Sequence, residues 1–150
     1  MMLSPKVVAA GESPVLHVVG DRLRCLLDGK ATGGVFSMFE VRTPPGAGSP
    51  PHIHRREEET FYIIEGEMEF WIDGKTIKAG PGASVFGPRD VAHCFKNVGS
   101  KAAHMIMVVS PAGLEEFFRE CAVKAPEVPP PMPAFLELCA KYGLELLPPK

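Results

Sequence analysis

Short apolar runs separated by glycine- and proline-rich turns dominate the chain before residue 110. Many short strands with frequent turn signals are typical of a β-sandwich or β-barrel. The dipeptide Asp73-Gly74, between two such runs, indicates a tight hairpin. No helical crossover pattern separates the runs, which argues against a parallel α/β sheet. The predicted strands are Val15–Val19, Leu23–Leu27, Val35–Val41, Thr60–Ile64, Met68–Ile72, Thr76–Lys78, Ala83–Phe86, Ala92–Asn97 and His104–Val109.

The chain after residue 110 has a helical pattern instead. Ser110 and Pro111 suit the cap and the first position of a helix. Apolar residues then repeat twice at helical spacing, first at Leu114, Phe117, Phe118 and Cys121 and later at Phe135, Leu138, Cys139 and Tyr142. A proline-rich connector, residues 126–133, separates the two helices. We expect residues 1–110 to form an all-β barrel, with residues 111–150 as a helical extension of the same domain.

Composition and charge favour one globular domain and argue against several partners. Of the 150 residues, 45% are hydrophobic and 23% are charged, which are ordinary values. The net charge is −2, and no basic cluster suits a nucleic-acid backbone. The four cysteines form no C-x-x-C pair, which argues against a thiolate zinc site. Because the chain shows neither a signal-peptide pattern nor a membrane-span pattern, we expect a cytoplasmic protein with no membrane partner.

Two histidines and a carboxylate form the most informative segment. His52 and His54 are two residues apart, so on an extended strand both side chains project to one face. Glu59 follows His54 at an odd offset, so an unbroken strand would aim it at the opposite face. A bend or bulge within residues 55–58 is therefore required, and we interpret residues 55–57 as a solvated turn. Glu58 is an alternative to Glu59 as the acidic ligand.

A third histidine, His93, lies on a later predicted strand after a Gly-Pro turn. Three imidazoles and one carboxylate suit a borderline divalent metal, and Zn, Fe, Mn, Ni, Co or Cu remain possible. Spacing alone does not establish that His93 meets the other three side chains.

The two segments resemble the two motifs of the cupin superfamily. Residues 46–66 fit the pattern G-x5-H-x-H-x4-E-x6-G without a gap, and residues 82–97 fit G-x5-P-x-G-x2-H-x3-N except at Asp90. Asp90 replaces the usual glycine, which affects turn geometry more than metal binding because aspartate tolerates turn conformations. The chain is also similar to small single-domain cupins related to quercetin 2,3-dioxygenase.

The resemblance implies a double-stranded β-helix, or jelly-roll barrel, with a metal inside its mouth. It further implies that the metal is bound by His52, His54, Glu59 and His93. It also suggests a homodimer, since this is the usual state of small cupins.

Strand alternation predicts which apolar side chains accompany these ligands. Phe61 and Ile63 share the parity of Glu59, and Phe95 shares that of His93. Met105 and Met107 share one face of the last strand, and we expect Met38 to oppose them. Together they predict an apolar pocket wall, which favours an aromatic or apolar ligand over a sugar phosphate.

Three functional hypotheses follow from the sequence and the resemblance. The leading one is a metal-dependent dioxygenase-like enzyme for a small oxygenated compound, with Glu59 as catalytic base. The second is a non-redox isomerase, cyclase or lyase that uses the metal as a Lewis acid. The third is a small-molecule-binding cupin without turnover, so enzymatic activity itself stays open.

Overall fold

The structure, a computed structural model, describes residues 2–149. The strands are β1 (Leu16–Val18), β2 (Asp21–Leu27), β3 (Ser37–Thr43), β4 (His52–His54), β5 (Glu58–Glu65), β6 (Met68–Ile72), β7 (Lys75–Ala79), β8 (Ser84–Gly87), β9 (His93–Asn97), β10 (Ala103–Ser110) and β11 (Leu144–Leu146). The helices are α1 (Gly29–Thr32), α2 (Leu114–Lys124) and α3 (Met132–Lys141). The predicted all-β architecture with C-terminal helices is confirmed.

Two antiparallel sheets pack into a jelly roll around one apolar core. The first has the order β1-β2-β3-β10-β5-β8, and the second has the order β11-β4-β9-β6-β7. Along β10, buried and half-buried positions alternate, as expected when one face of a strand meets the core. The centre of the core is aromatic: the rings of Phe61, Phe70 and Phe95 lie 5.1 to 5.9 Å apart between their centroids.

Two turns show how local sequence sets the strand register. Asp73 and Gly74 both have positive φ angles, 49° and 78°, and join β6 to β7 as the predicted hairpin. Gly66, with φ of 101°, ends β5 beside Ala103. A Cβ at this position would lie 2.8 Å from Ala103 atoms, so only glycine fits the close approach.

The first predicted helix begins later than the sequence suggested. β10 continues through Ser110, whose hydroxyl donates to the carbonyl of Val35 and so does not cap a helix. Helix α2 begins at Leu114 after Gly113. The carboxylate of Glu115 accepts from the backbone N–H groups of Gly113 and Gly29, which supplies the acceptor that Ser110 does not.

The C-terminal segment contains a strand as well as helices. Helix α3 begins at Met132, so the end of the predicted connector forms its first turn, where proline is tolerated. Gly143 follows this helix in the left-handed conformation, φ 71°. β11 then pairs with β4, placing Leu144 beside His54 and Leu146 beside His52. Among residues 2–149, no helix combines the length and apolar character needed to cross a bilayer.

Candidate metal centre

Three short strands position the histidines and the carboxylate. His52 and His54 point inward from β4, and His93 of β9 is the register partner of His52. Glu59 lies on β5 in the facing sheet. The required bend is therefore a crossing between sheets: Arg55 and Arg56 are exposed and carry the chain from β4 to β5.

The four side chains meet in the buried interior. One donor atom from each of His52, His54, Glu59 and His93 lies within 4.8 Å of all the others. The Nε2 atoms of His52 and His54 are 3.0 Å apart. Oε2 of Glu59 lies 2.9 Å from Nε2 of His93 and 3.3 Å from Nε2 of His54. The structure thus answers the question that spacing left open, because His93 joins the other three.

Hydrogen bonds at the outer ring nitrogens set the tautomers. Nδ1 of His52 lies 2.7 Å from the carbonyl of Pro50, and Nδ1 of His93 lies 3.1 Å from that of Val91. A carbonyl only accepts, so each Nδ1 carries the proton and each Nε2 presents a lone pair to the centre. This is the orientation that metal-binding histidines need.

The donor set fits one divalent cation. With zinc–nitrogen bonds of about 2.0–2.1 Å, neighbouring donors are about 3.3 Å apart in a tetrahedron and about 2.9 Å apart in an octahedron. Three of the donor separations, 2.9, 3.0 and 3.3 Å, fall in that range, and all four donors lie within 4.8 Å of one another. The two Nε2 atoms of His52 and His54, at 3.0 Å, need a proton or a cation between them. The buried cluster can therefore hold a divalent metal ion.

Burial and neighbouring charges shift the pKa values of this cluster strongly. Burial, reinforced by the positive charges of His93 and His54, lowers the pKa of His52 to about 3. Burial also acts to lower the pKa of His54, but the carboxylates of Glu59 and Glu57 outweigh it and raise that pKa to about 10. Burial would raise the pKa of Glu59, but His54 and His93 hold it well below its usual value. With these shifts His52 is neutral, His54 is protonated and Glu59 is ionised, so a positive and a negative charge face each other at the centre.

Glu57 corrects the interpretation of the turn. Its side chain is buried, not solvated, and its carboxylate accepts from Nδ1 of His54 at 3.0 Å. It therefore orients the His54 ring, as the Pro50 and Val91 carbonyls orient the other two rings. The sequence did not indicate this role, because residues 57–59 are all acidic. The chain passes from one sheet to the other just before them, so strand alternation counted from His54 does not predict which of them is buried. Glu58, the alternative ligand, instead forms an ion pair with exposed Arg89.

The turn before His93 explains the departure from the second motif. Asp90 has a positive φ of 66°, the conformation for which glycine is usual and aspartate is among the better substitutes. Its carboxylate accepts from Arg55, and its N–H donates to the carbonyl of His54. The turn therefore also connects the β4 end to the segment that carries His93.

An apolar cavity of about 70 Å³ opens onto the cluster. Three of the four cluster residues line it, together with apolar side chains from both sheets. The C-terminal segment supplies a further part of the wall: Phe117, Phe118, Phe135, Leu144 and Leu146. Sequence reasoning missed this contribution, although it predicted both helices, because periodicity does not reveal which part of the barrel a helix covers.

The predicted pocket residues fall into three groups. Phe95 and Met107 line the cavity. Phe61, Ile63 and Met105 are buried in the core but do not line it. The expectation for Met38 is wrong: Met107 pairs with Phe39, and Met38 pairs with Val108 on the opposite face of the sheet. The β3 alternation was misassigned by one residue, and such a slip exchanges the two faces.

Comparisons with known proteins agree with this architecture. A model of the cupin domain matches residues 39–109. Polyketide synthase CurC of Streptomyces cyaneus is 30% identical over 129 residues, which cover 84% of this chain and 82% of that protein. The chain belongs to the cupin family. This cupin is also 34% identical over 116 residues to quercetin 2,3-dioxygenase of Bacillus subtilis, covering 77% of the chain.

The matches differ in how much of each protein they cover. The matched part spans only 34% of the length of the Bacillus dioxygenase. The solved structure of the polyketide cyclase RemF from Streptomyces resistomycificus superimposes with a TM-score of 0.62 at 24% identity, covering 71% of this chain and 80% of that one. That likeness shows the cupin fold.

Proposed function

We propose that this cupin is a metal-dependent dioxygenase-like enzyme acting on a small, aromatic or apolar compound with adjacent oxygen atoms. The observation that carries the proposal is the buried His52, His54, Glu59 and His93 cluster opening onto an apolar cavity. The identity to quercetin 2,3-dioxygenase supports this reaction class over others.

The cluster supplies four donors and holds the metal away from bulk water. A redox-active divalent metal at this position would promote reaction of the substrate with O2. His52, His54 and His93 would hold it through Nε2, and the backbone carbonyls and Glu57 hold their rings in place. A closed tetrahedral zinc site with the same four ligands would be structural instead.

Glu59 is the residue that can move a proton. Neighbouring histidines hold its pKa well below the usual range, so the side chain is ionised and its oxygens act as hydrogen-bond acceptors. Oε2 contacts His54 and His93, on the same cavity that receives the substrate. We infer that Glu59 takes the proton from a substrate hydroxyl as that oxygen approaches the metal.

The cavity selects the substrate by polarity and size. Its wall is mostly aromatic and aliphatic, which favours a flat apolar body over a sugar phosphate. The cavity of about 70 Å³ has room for about five to seven water molecules, at about 10–15 Å³ for each. This is about the space of one substituted ring. A three-ring flavonol enters only if the C-terminal wall moves.

The test begins with the metal content of protein purified without added metal. Oxygen uptake is then measured on protein loaded with that metal, using quercetin, catechol and a vicinal diketone. We expect uptake with at least one compound, and loss of uptake in His52→Ala. His104→Ala is a matched control, since His104 lies outside the cluster and pairs with Glu40. Zinc as the sole metal, with no uptake from any compound, would contradict the proposal.

A non-redox cyclase or related lyase is the second candidate function. Similarity to a polyketide synthase protein and to a polyketide cyclase structure favours it. The cluster would then hold a Lewis-acid metal without using O2. Turnover of a substrate under strictly anaerobic conditions would support this candidate and exclude the oxygenase.

We also propose a homodimer formed through the outer face of the first sheet. Phe86 is 57% exposed, and Tyr62 and Ile64 on the neighbouring strand are also exposed. Such a patch is a common protein–protein interface. Light scattering after gel filtration should give twice the chain mass, and Phe86→Lys should give a monomer. A monomeric parent protein would refute this.

A cytoplasmic location stays a prediction that cell fractionation would test.

A further inference from the structure

An acidic residue outside the metal cluster lines the same cavity. Asp21 is the first residue of β2, and its side chain is 7% exposed. Leu23 pairs with Val41, so Asp21, two residues earlier, lies near Thr43. Thr43 pairs with Ala103 of β10, and Glu59 pairs with Val109 of the same strand. Met105 and Met107 lie between these two positions on the inward face. Asp21 therefore marks the end of the cavity farthest from Glu59.

Asp21 is incompletely paired for a buried carboxyl. Its Oδ1 makes no hydrogen bond within the described chain. Burial raises its pKa to about 7, although the nearby Thr43 hydroxyl lowers it in part. An unsatisfied buried polar atom costs about 1–3 kcal/mol. Among the described residues four buried side-chain atoms make no hydrogen bond, and Asp21 is the one of these residues that lines the cavity.

The turn that places Asp21 is itself conformationally costly. Val19 and Gly20, which connect β1 to β2, both have positive φ angles of 48° and 88°. A β-branched residue in the left-handed region is an outlier. Val18 and Val19 also line the cavity, so the start of the β1–β2 turn belongs to its wall.

Thr43 is a polar neighbour of Asp21, but the cavity wall around Asp21 does not require an acid at this position. The side chains around Asp21 on the cavity wall include Val18, Leu23 and Val41, which are all apolar. A leucine would pack against them without a buried charge. A ligand that enters the cavity with a polar group would, by contrast, satisfy the free oxygen.

We propose that Asp21 is a specificity-determining residue that hydrogen-bonds a hydroxyl or carbonyl group at the remote end of the cavity ligand. The ligand would therefore be bifunctional: a pair of adjacent oxygens near the metal cluster, an apolar body along Met107 and Phe95, and a polar group at Asp21. The inference rests on the proposed function only in placing one end of the ligand at the metal.

The experiment uses catechols as probes on the full chain loaded with Mn²⁺ under argon, so that no O2 is present for turnover. Each catechol carries an alkyl chain of graded length, ending either in a methyl or in a hydroxyl group. Isothermal titration calorimetry gives the affinity ratio between the two members of each pair. For at least one length we expect the hydroxyl-ended member to be favoured, and that preference to fall about tenfold in Asp21→Leu.

Two further variants keep the result interpretable. Asp21→Asn retains size and hydrogen-bonding capacity, so it should keep part of the preference even if the leucine variant folds poorly. Ser37→Ala is the matched control, because Oγ of Ser37 is also buried and unpaired but does not line the cavity. It should keep the full preference.

The inference is overturned if no chain length shows a preference in the parent protein, or if Asp21→Leu keeps it unchanged. Either result leaves the oxygen-uptake test untouched, so the proposed function can survive. Conversely, absence of oxygen uptake with an intact Asp21-dependent preference would reject the oxygenase and retain the inference.

Discussion

Replacing Asp21 by asparagine should stabilise the protein in a strongly pH-dependent way. In the folded chain the pKa of Asp21 is about 7, against an ordinary value of 3.8. Between these values the native state binds a proton that the unfolded state has released. The free energy of unfolding of the parent protein therefore falls as the pH rises through this window. The asparagine variant has no such proton to lose, so its advantage grows over the same window.

The magnitude follows from the size of the shift. A rise from 3.8 to about 7 is about three pH units, and each unit is worth about 1.4 kcal/mol. The variant should therefore gain up to about 4 kcal/mol over the parent above pH 7, and almost nothing near pH 4. The low exposure of the side chain means that solvent screening reduces this little.

This difference is measured by urea unfolding at a series of pH values from about 4 to 8.5. Fluorescence of the single tryptophan, Trp71, reports the unfolding. Both proteins carry the same histidine cluster, so its titration cancels in the comparison. Asp28→Asn is an opposite control. The backbone N–H of Ala31 donates to the Asp28 carboxylate and lowers its pKa, so the stability that this contact contributes is lost as the pH falls. That variant should be less stable than the parent at neutral pH.

A flat difference between parent and Asp21→Asn across the pH range would refute the reasoning. It would mean that water or an ion reaches Asp21 and that the carboxyl is ionised at little cost. A variant less stable than the parent above pH 7 would show that the carboxylate has a structural partner.

Three further substitutions test the site and its wall. His52→Ala should reduce bound metal from one ion per chain to a small fraction, measured by elemental analysis after dialysis; full occupancy would contradict the ligand assignment. Glu57→Ala should weaken metal affinity about 10–100-fold by releasing His54, measured by competition with a chelator; Glu58→Ala, on the exposed neighbour, should leave affinity unchanged. Phe117→Ala should cost about 3–5 kcal/mol in urea unfolding, since this ring is buried between barrel and helix; a loss below 1 kcal/mol would show that the C-terminal wall packs loosely.

Contacts that follow from local spacing could be predicted from the sequence. His52 and His54 share a face because they are two residues apart, and the need for a bend before Glu59 follows from an odd offset. The structure contains that bend, and the family motifs indicated that His93 would join the site. These features depend on strand geometry within a short segment, where periodicity is informative.

Contacts between distant segments could not be predicted in the same way. Glu57 is buried because the chain changes sheets at Arg55, a long-range event that makes its immediate sequence look solvated. The β11–β4 pairing joins residues about ninety positions apart, and neither strand is long enough to stand out by pattern. The expectation for Met38 overlooked a signal in its own strand, since Met38 has the parity of the charged Glu40 and Arg42. Phe39 and Val41 have the other parity and form the buried face.

The pairing of β11 with β4 connects the C-terminal strand to the strand that carries His52 and His54. β4 is three residues long and pairs with β9 only at His52 and His93. β11 supplies its other edge, and Glu145 reinforces it through Arg55. Because β11 borders the strand that carries His52 and His54, a metal bound by these ligands would stabilise the β11 pairing, and loss of β11 would weaken metal binding.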